Sequence, residues 1–524
     1  IVSDQVRPYA QAVNVEYGRD QSTALSPTVA GRGGFTLDNR DRRYTPRNTA
    51  SPLYGKLKPA RPVRISRTVD GVPVDAYPDV YDEVWGTPGT FTYVLFNGHT
   101  DDSPINPDVD SKTVAMSLVD SMADMRGFNI TTGLHRDIRT GTAIKYVLDA
   151  CDWPDNLRDL DLGATIIPWW WEDGTDALTA LESILRSEGP PAMLTVGTDG
   201  EIIFRDRHHR QTRAPALTSQ DTWHATGPLE PVMARGFSYD EAWRNIVNTG
   251  TASVDVRALQ ARAVVWTSED TTITLSAGEQ IIVTAAASEP FLNAQTPTES
   301  GGDYNLVSGD VEVRLLRTSG VSVGIELTAD VSNPVVLTRL RLRAQPLTVT
   351  HTTQVSVSDA DSIAEYGSRS FPGDLPWCRA GDAKAVLQLA VALRAKPLPI
   401  VSARFMVGTN TDRILAVLPR DLSDRVTVVE PETALSSAFY IESIAHEITR
   451  HETDHSVTFG LEAVRFEDIF GDEFDTETLD NLFRFGVDGS GFGEGVFGGG
   501  LNLSATMFRF DVALQGFNLG TFSL

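Results

Sequence analysis

Gly33–Ile65 reads GGFTLDNRDRRYTPRNTASPLYGKLKPARPVRI. A strand ends at Leu37, and Asp38-Asn39 supplies a turn, because short side chains that bond their own backbone favour chain reversal. Pro46, Pro52, Pro59 and Pro62 fix φ along the connection. Val63 and Ile65 restart a strand by alternating with Arg64. The segment is therefore a long, polar, turn-rich connection between two strands of a β structure.

Upstream, Ala12–Tyr17 (AVNVEY) alternates apolar and polar residues and predicts a half-buried strand. Pro62–Ile65 and Phe91–Leu95 predict two more. The pattern changes near residues 101–107. Lys112–Met125 and Thr142–Cys151 carry apolar residues at helical spacing, and so does Thr175–Arg186, with Asp173 or Thr175 as its N-cap. Ala192–Val196 and Glu201–Arg205 flank Thr198-Asp199-Gly200, a hairpin turn signal. Thr272–Leu275, Gln280–Thr284, Val311–Leu316, Val323–Leu327 and Leu337–Arg343 read as the strands of a β-sandwich. Ala380–Lys396 predicts a helix stopped by Pro397, and Phe439–Ile444 and Ser456–Leu461 can pair as a hairpin.

Composition sets limits. The 524 residues are 41% hydrophobic and 22% charged, enough for several cores. The two cysteines, Cys151 and Cys378, cannot form a disulfide framework. No apolar run is long enough to span a membrane. No signal-peptide pattern opens the chain, so synthesis in the cytosol is expected. A net charge of −25 argues against a broad surface gripping nucleic-acid phosphates. From Glu467 to Glu494 nine acids stand against one base, Arg484, and Phe-Gly pairs recur at Phe485, Phe492 and Phe497. That stretch lacks the apolar density for its own core, so its phenylalanines imply docking on another chain or copy.

The sequence offers no catalytic, cofactor-binding or metal-binding residue set. His446-Glu447-Ile448-Thr449-Arg450-His451 has its histidines five apart, where a zinc helix needs four; His455 does not repair the spacing. His208-His209, among Arg205, Arg207, Arg210 and Arg213, reads as a solvated basic loop or a hold for an acidic partner. Trp169-Trp170-Trp171 beside Glu172-Asp173 suggests sugar stacking, but adjacent carboxylates do not flank one bond as glycosidases require; packing before a helix is the simpler reading. Arg339, Arg341 and Arg343 share one strand face, as a solvated face or an anion site.

Arg32–Ile65 resembles the opening of minor tail proteins of the baseplate-hub family in long-tailed phages of actinobacteria. Trp169–Leu181 (WWWEDGTDALTAL), Gly197–Arg207 (GTDGEIIFRDR), Tyr239–Asn248 (YDEAWRNIVN), Ser362–Gly367 (SIAEYG) and Asp421–Val426 (DLSDRV) resemble later segments of that family in the same order. The resemblance implies a mainly β fold with an α+β insertion: two hub-type β-barrels, a small α+β domain, an inserted β-sandwich and an extended C-terminal tail. The expected divisions are 1–107, first barrel; 108–218, α+β domain; 219–257, return to the first barrel; 258–346, sandwich; 347–466, second barrel with helix; 467–524, acidic Gly/Phe-rich tail. It implies a non-enzymatic structural protein of the virion tail tip. A homotrimeric hub would join the tube to the tip beside a distal tail protein ring, a tape measure protein and other minor tail or fibre proteins. DNA would pass its channel without specific binding, and no cofactor is implied. Two other classes stand beside this: a tip adhesin binding host glycan through 258–346, and a wall hydrolase centred on Trp169–Asp176.

Overall fold

The computed structural model describes residues 9–465, except 22–24, 26–27, 73–88, 103–104, 214, 228–230, 234–235, 269–270, 318, 409 and 450–453. The acidic segment from Glu467 and His451 lie outside the described residues.

The quoted stretch starts the largest sheet. β1 (Ala10–Arg19) pairs antiparallel with β2 (Thr28–Asp38), and β3 (Pro62–Val72) with β4 (Gly89–Thr100). The connection between β2 and β3 is ordered by side chains bonding backbone, as its composition demands. Asp38 and Asp41 accept from the amides of Arg40 and Arg43, Asn39 Oδ1 accepts from Tyr44 N at 2.9 Å, and Ser51 Oγ accepts from Leu53 N. Tyr44 and Leu53 are buried, so the polar loop is pinned by two apolar anchors.

Thr113–Asp120 is a strand, β5, and only Ser121–Met125 forms a short helical turn, which corrects the helix expected over Lys112–Met125. Val114, Met116, Leu118 and Asp120 alternate inward. The free edge of β2 at Arg32–Asp38 gives this run a ladder, so period two wins over the helical stripe through Val114, Leu118 and Met122. The other helices hold: α1 is Thr140–Ala150 and α2 is Ala177–Glu188, capped by Asp176 rather than by Asp173 or Thr175. The hairpin of β6 (Met193–Val196) and β7 (Ile202–Arg205) follows.

β8 (Thr249–Leu259) leads into a β module. There β9 (Gln280–Ala286), β10 (Val311–Arg317) and β11 (Ser322–Ala329) form a three-stranded sheet. It shares a core with a second sheet built on β12 (Val335–Ser358), through Ala285, Val323, Ile325, Leu327, Leu337, Leu340 and Leu342. The far half of β12 returns along β8, from Leu259↔Leu347 to Thr249↔Ser358. Helix α3 (Ala380–Arg394) follows, then β13 (Ile400–Met406), β14 (Arg425–Glu430), β15 (Leu435–Thr449) and β16 (Asp454–Ala463). β15 and β16 form the expected hairpin, with Ile441↔Leu461 and Ile444↔Phe459 in register.

β1 joins β2 on one side and β15 on the other, so the first and last described strands lie in one twelve-stranded sheet. Gly18, at φ 114°, makes the approach possible: a Cβ there would stand 2.3 Å from the Glu442 carbonyl oxygen. Closed barrels were expected; among the described residues no sheet closes. The large sheet curls instead. Tyr93 and Leu95 of β4 reach the core beneath β13–β16, and Arg67 of β3 reaches His455 of β16, but side chains bridge the gap without a ladder.

Candidate functional site

The basic run is not a solvated loop. Arg207 and Arg210 are buried, and each meets an acid deep in the protein. Arg207 lies 3.7 Å from Glu188 at the end of α2, and its Nη1 donates to Thr165 Oγ1 and the Glu188 carbonyl. Glu188 also accepts from Thr140 Oγ1 at 2.6 Å and from the amides of Ala164 and Thr165. His209 pairs with Asp161 at 2.8 Å, and Arg205 with Asp159 at 2.6 Å.

Arg210 reaches further. Its Nη1 lies 2.6 Å from Glu442 Oε1, its Nε donates to Ser423 Oγ, and its guanidinium sits 4.6 Å from the Tyr440 ring centre. Arg19 of β1 approaches the same carboxylate at 3.5 Å and donates to the Pro191 and Ala192 carbonyls. Burial alone would raise the Glu442 carboxyl, but Arg210 and Arg19 outweigh it and hold it below its ordinary value. Nearby, Arg394 of α3 pairs with Glu462 of β16 at 2.6 Å. These ions lock β1, β15 and the chain around Pro191–Arg210 together. Sequence reading missed Glu442, although a lone acid amid Phe439, Tyr440, Ile441 and Ile444 is a visible signal of a buried pair.

The histidines form a chain rather than a metal site. Arg67 Nη1 lies 2.7 Å from His455 Nδ1, and His455 Nε2 lies 3.2 Å from His446 Nδ1. Arginine only donates, so His455 Nδ1 accepts and its Nε2–H points to His446. Among the described residues no group of three His, Cys, Asp or Glu side chains converges as ligands would. Burial pushes His446 down to about 4 and, with His446 and Arg67 adding to it, His455 to about 3. Both folded values lie below the ordinary 6.5, so the unfolded chain binds more protons. The pair's contribution to stability is whole above about pH 6.5 and is lost as pH falls through the folded values. The expected result by imidazole carbon NMR is two neutral rings at pH 5; imidazolium shifts there would contradict the buried chain.

The tryptophans divide. Trp170 is fully buried, with Tyr146 stacked 6.3 Å away. Glu172 is buried, which raises its carboxyl, while Asp173 is exposed, so the two do not face one another. Trp169 and Trp171 turn to the other side. Arg136 lies 5.2 Å from the Trp169 ring centre, and Arg257 lies 5.2 Å from that of Trp171, which meets Trp377 edge-on at 5.3 Å. An open cleft of about 350 Å³ results, lined by Arg136, Asp137, Trp169, Arg257, Leu259 and Arg379 among others. Asp137 pairs with Arg136 at 3.0 Å and with Arg379.

Arg339 and Arg343 do hold something, but it is their own chain: Arg339 donates to the Gly302 carbonyl and Asn305, and Arg343 pairs with Asp303 at 2.6 Å. Cys151 and Cys378 are free thiols. Among the described residues no helix is long and apolar enough to cross a membrane.

No family model and no curated protein matches the chain. Solved structures do. The 43 kDa tail protein of prophage MuSo2 from Shewanella oneidensis is 12% identical, over 86% of this chain and 94% of that one, with a TM-score of 0.40. The tail protein from Neisseria meningitidis MC58 is 9% identical over 87% and 92%, at 0.43. A chain of the Francisella PdpA-VgrG complex is 8% identical over 87% and 54%, at 0.41. The structural neighbours of this mainly β chain are thus phage tail proteins and VgrG-type proteins, and the likeness assigns it no partner or residue role.

Proposed function

We propose that this chain is a structural subunit of a phage tail tip, a hub that joins the tail tube to the tip, and that it works without catalysis. The observation that carries the reading is the sheet shared by the first and last described strands. The resemblance assigns the segments around β1–β5 and β13–β16 to two related halves of a hub. β1 pairs with β15, so those halves stand side by side in one sheet. The β module between β8 and β12 is joined to that body through β8 and the far half of β12, and Gly320 N of the module donates to the Thr132 carbonyl.

Three copies would set six such halves around an axis, matching a six-fold tube above to a three-fold tip below. A distal tail protein ring and the tape measure protein would bind above, and fibre or other minor tail proteins below. DNA would pass through the middle. A chain of net charge −25 suits such a lumen, since like charge keeps phosphates from adhering. The proposed divisions follow the sequence: 1–107 and 219–257 with 347–466 as the hub body, 108–218 and 258–346 as insertions, and 467–524 as a tail that docks.

Light scattering on the purified chain is expected to give a mass near three times 57.1 kDa. Imaging of tail tips is expected to place it on the axis. A monomer at tens of micromolar, or a peripheral position on the tip, would refute the hub.

A further inference from the structure

We propose that the arginine–tryptophan cleft is the seat of the chain's own acidic segment, Glu467–Glu494. The cleft sets three arginines against one lining acid on a strongly acidic chain, and Asp255 beside it pairs with Arg257 at 3.7 Å, so a net positive charge remains. Arg136, Arg257 and Arg379 come from three distant parts of the sequence, and Asp137 is the one acid lining the cleft. Arg136 and Arg257 already lie over indole rings, which holds their planes in place and lowers the entropy lost when a carboxylate pairs with them. Trp169, under Arg136, is only partly buried.

The segment supplies the complement. Nine acids against one arginine provide carboxylates, and Phe485 and Phe492 provide rings to set against Trp169. The reach also fits. Arg465 donates to the carbonyls of Lys396 and Leu393, at the C-terminal end of α3. Arg379 caps the N-terminal end of the same helix. Fifteen helical residues span about 22 Å, a distance that about seven extended residues cover. Asp472 and the acids after it are therefore far enough along the chain from Arg465 to span that length. A carboxylate-rich peptide with aromatic residues is the class of ligand the cleft takes, and the chain carries one at the right distance. For Glu467–Glu494 this seat takes the place of the docking on another chain expected from the sequence, and it does not depend on the ring proposed above.

Carbodiimide coupling joins a carboxylate to an amine without a spacer, and the cleft lining contains no lysine. The charge-preserving full-length variants R257K and R379K place an amine there. The expected result, read by peptide mass spectrometry, is new cross-links from positions 257 and 379 to acids within 467–494. They should be absent from the parent chain and lost in about 1 M salt, where screening shortens to about 3 Å. Mixing isotope-labelled and unlabelled copies should give links within one label only. Links from these positions to Asp137 or Asp255 alone would overturn the seat. Links insensitive to salt would overturn its electrostatic basis, and links between labels would overturn the same-chain assignment.

Discussion

Glu442→Gln lowers the stability of the chain by about 3–5 kcal/mol, the cost of leaving buried charge without its partner. The substitution keeps the size of the side chain and removes its charge. Arg19 and Arg210 then face each other across a neutral amide, both sealed from water. Neither can escape, because Arg19 is tied to the Pro191 and Ala192 carbonyls and Arg210 is held by Ser423 and the Tyr440 ring. The loss is large beside a typical domain stability of about 5–15 kcal/mol. A urea series followed by circular dichroism reads it directly. Asp374→Asn is the matched control: it breaks a pair of intermediate length, with Arg186 at 3.0 Å, but in solvent. There the expected change is below about 1 kcal/mol. Equal midpoints for Glu442→Gln and the parent would show that the buried cluster contributes nothing.

The second large effect is in the core. Trp223→Ala costs about 3–5 kcal/mol through lost burial and the cavity left behind. The indole packs against Phe405, 4.9 Å away, and Phe459, 4.7 Å away, and is fully buried. Its short strand, Thr222–His224, runs parallel to β14, so the ring stands where β13, β14 and β16 meet. Trp223→Phe refills part of the space and is expected to recover about half of the loss, since cavity cost scales with the volume left empty. Circular dichroism is again the probe, because the substitution removes a fluorophore. A midpoint for Trp223→Ala within 0.5 kcal/mol of the parent, on that order-of-magnitude scale, would mean the core closes over the gap.

Periodicity was a good guide where one pattern stood alone. The stripes in Thr142–Cys151, Thr175–Arg186 and Ala380–Lys396 became helices, and the alternating runs of the β module became strands. It failed at Lys112–Met125, where Val114 and Leu118 fit both periods and only the open edge of β2 decided between them. The arginines of Arg205–Arg213 misled for a related reason: a basic run reads as solvated unless the acids that bury it are known, and Glu188 and Glu442 come from elsewhere in the chain. The cleft was illegible altogether. Arg136, Arg257 and Arg379 have no common motif, and only the packing of α3 and β8 beside Trp169 brings them together. The two barrels inferred from resemblance became a curled open sheet, because the gap between β3 and β16 is crossed by Arg67 and His455 rather than by backbone.

The pairing of Val15 with His446 also governs how the protein is made. More than four hundred residues must leave the ribosome before β1 meets its second neighbour. At about 5–20 residues per second that is a wait of roughly 20–90 s. Throughout it, the nascent chain carries a strand with one bare edge, and Arg19 has no carboxylate to meet until Glu442 is synthesised. The interval is the one in which newly made copies are most prone to join each other through that edge. The second edge of β1 therefore waits on the hairpin of β15 and β16, and crowded polysomes are where the bare edge is most exposed to error.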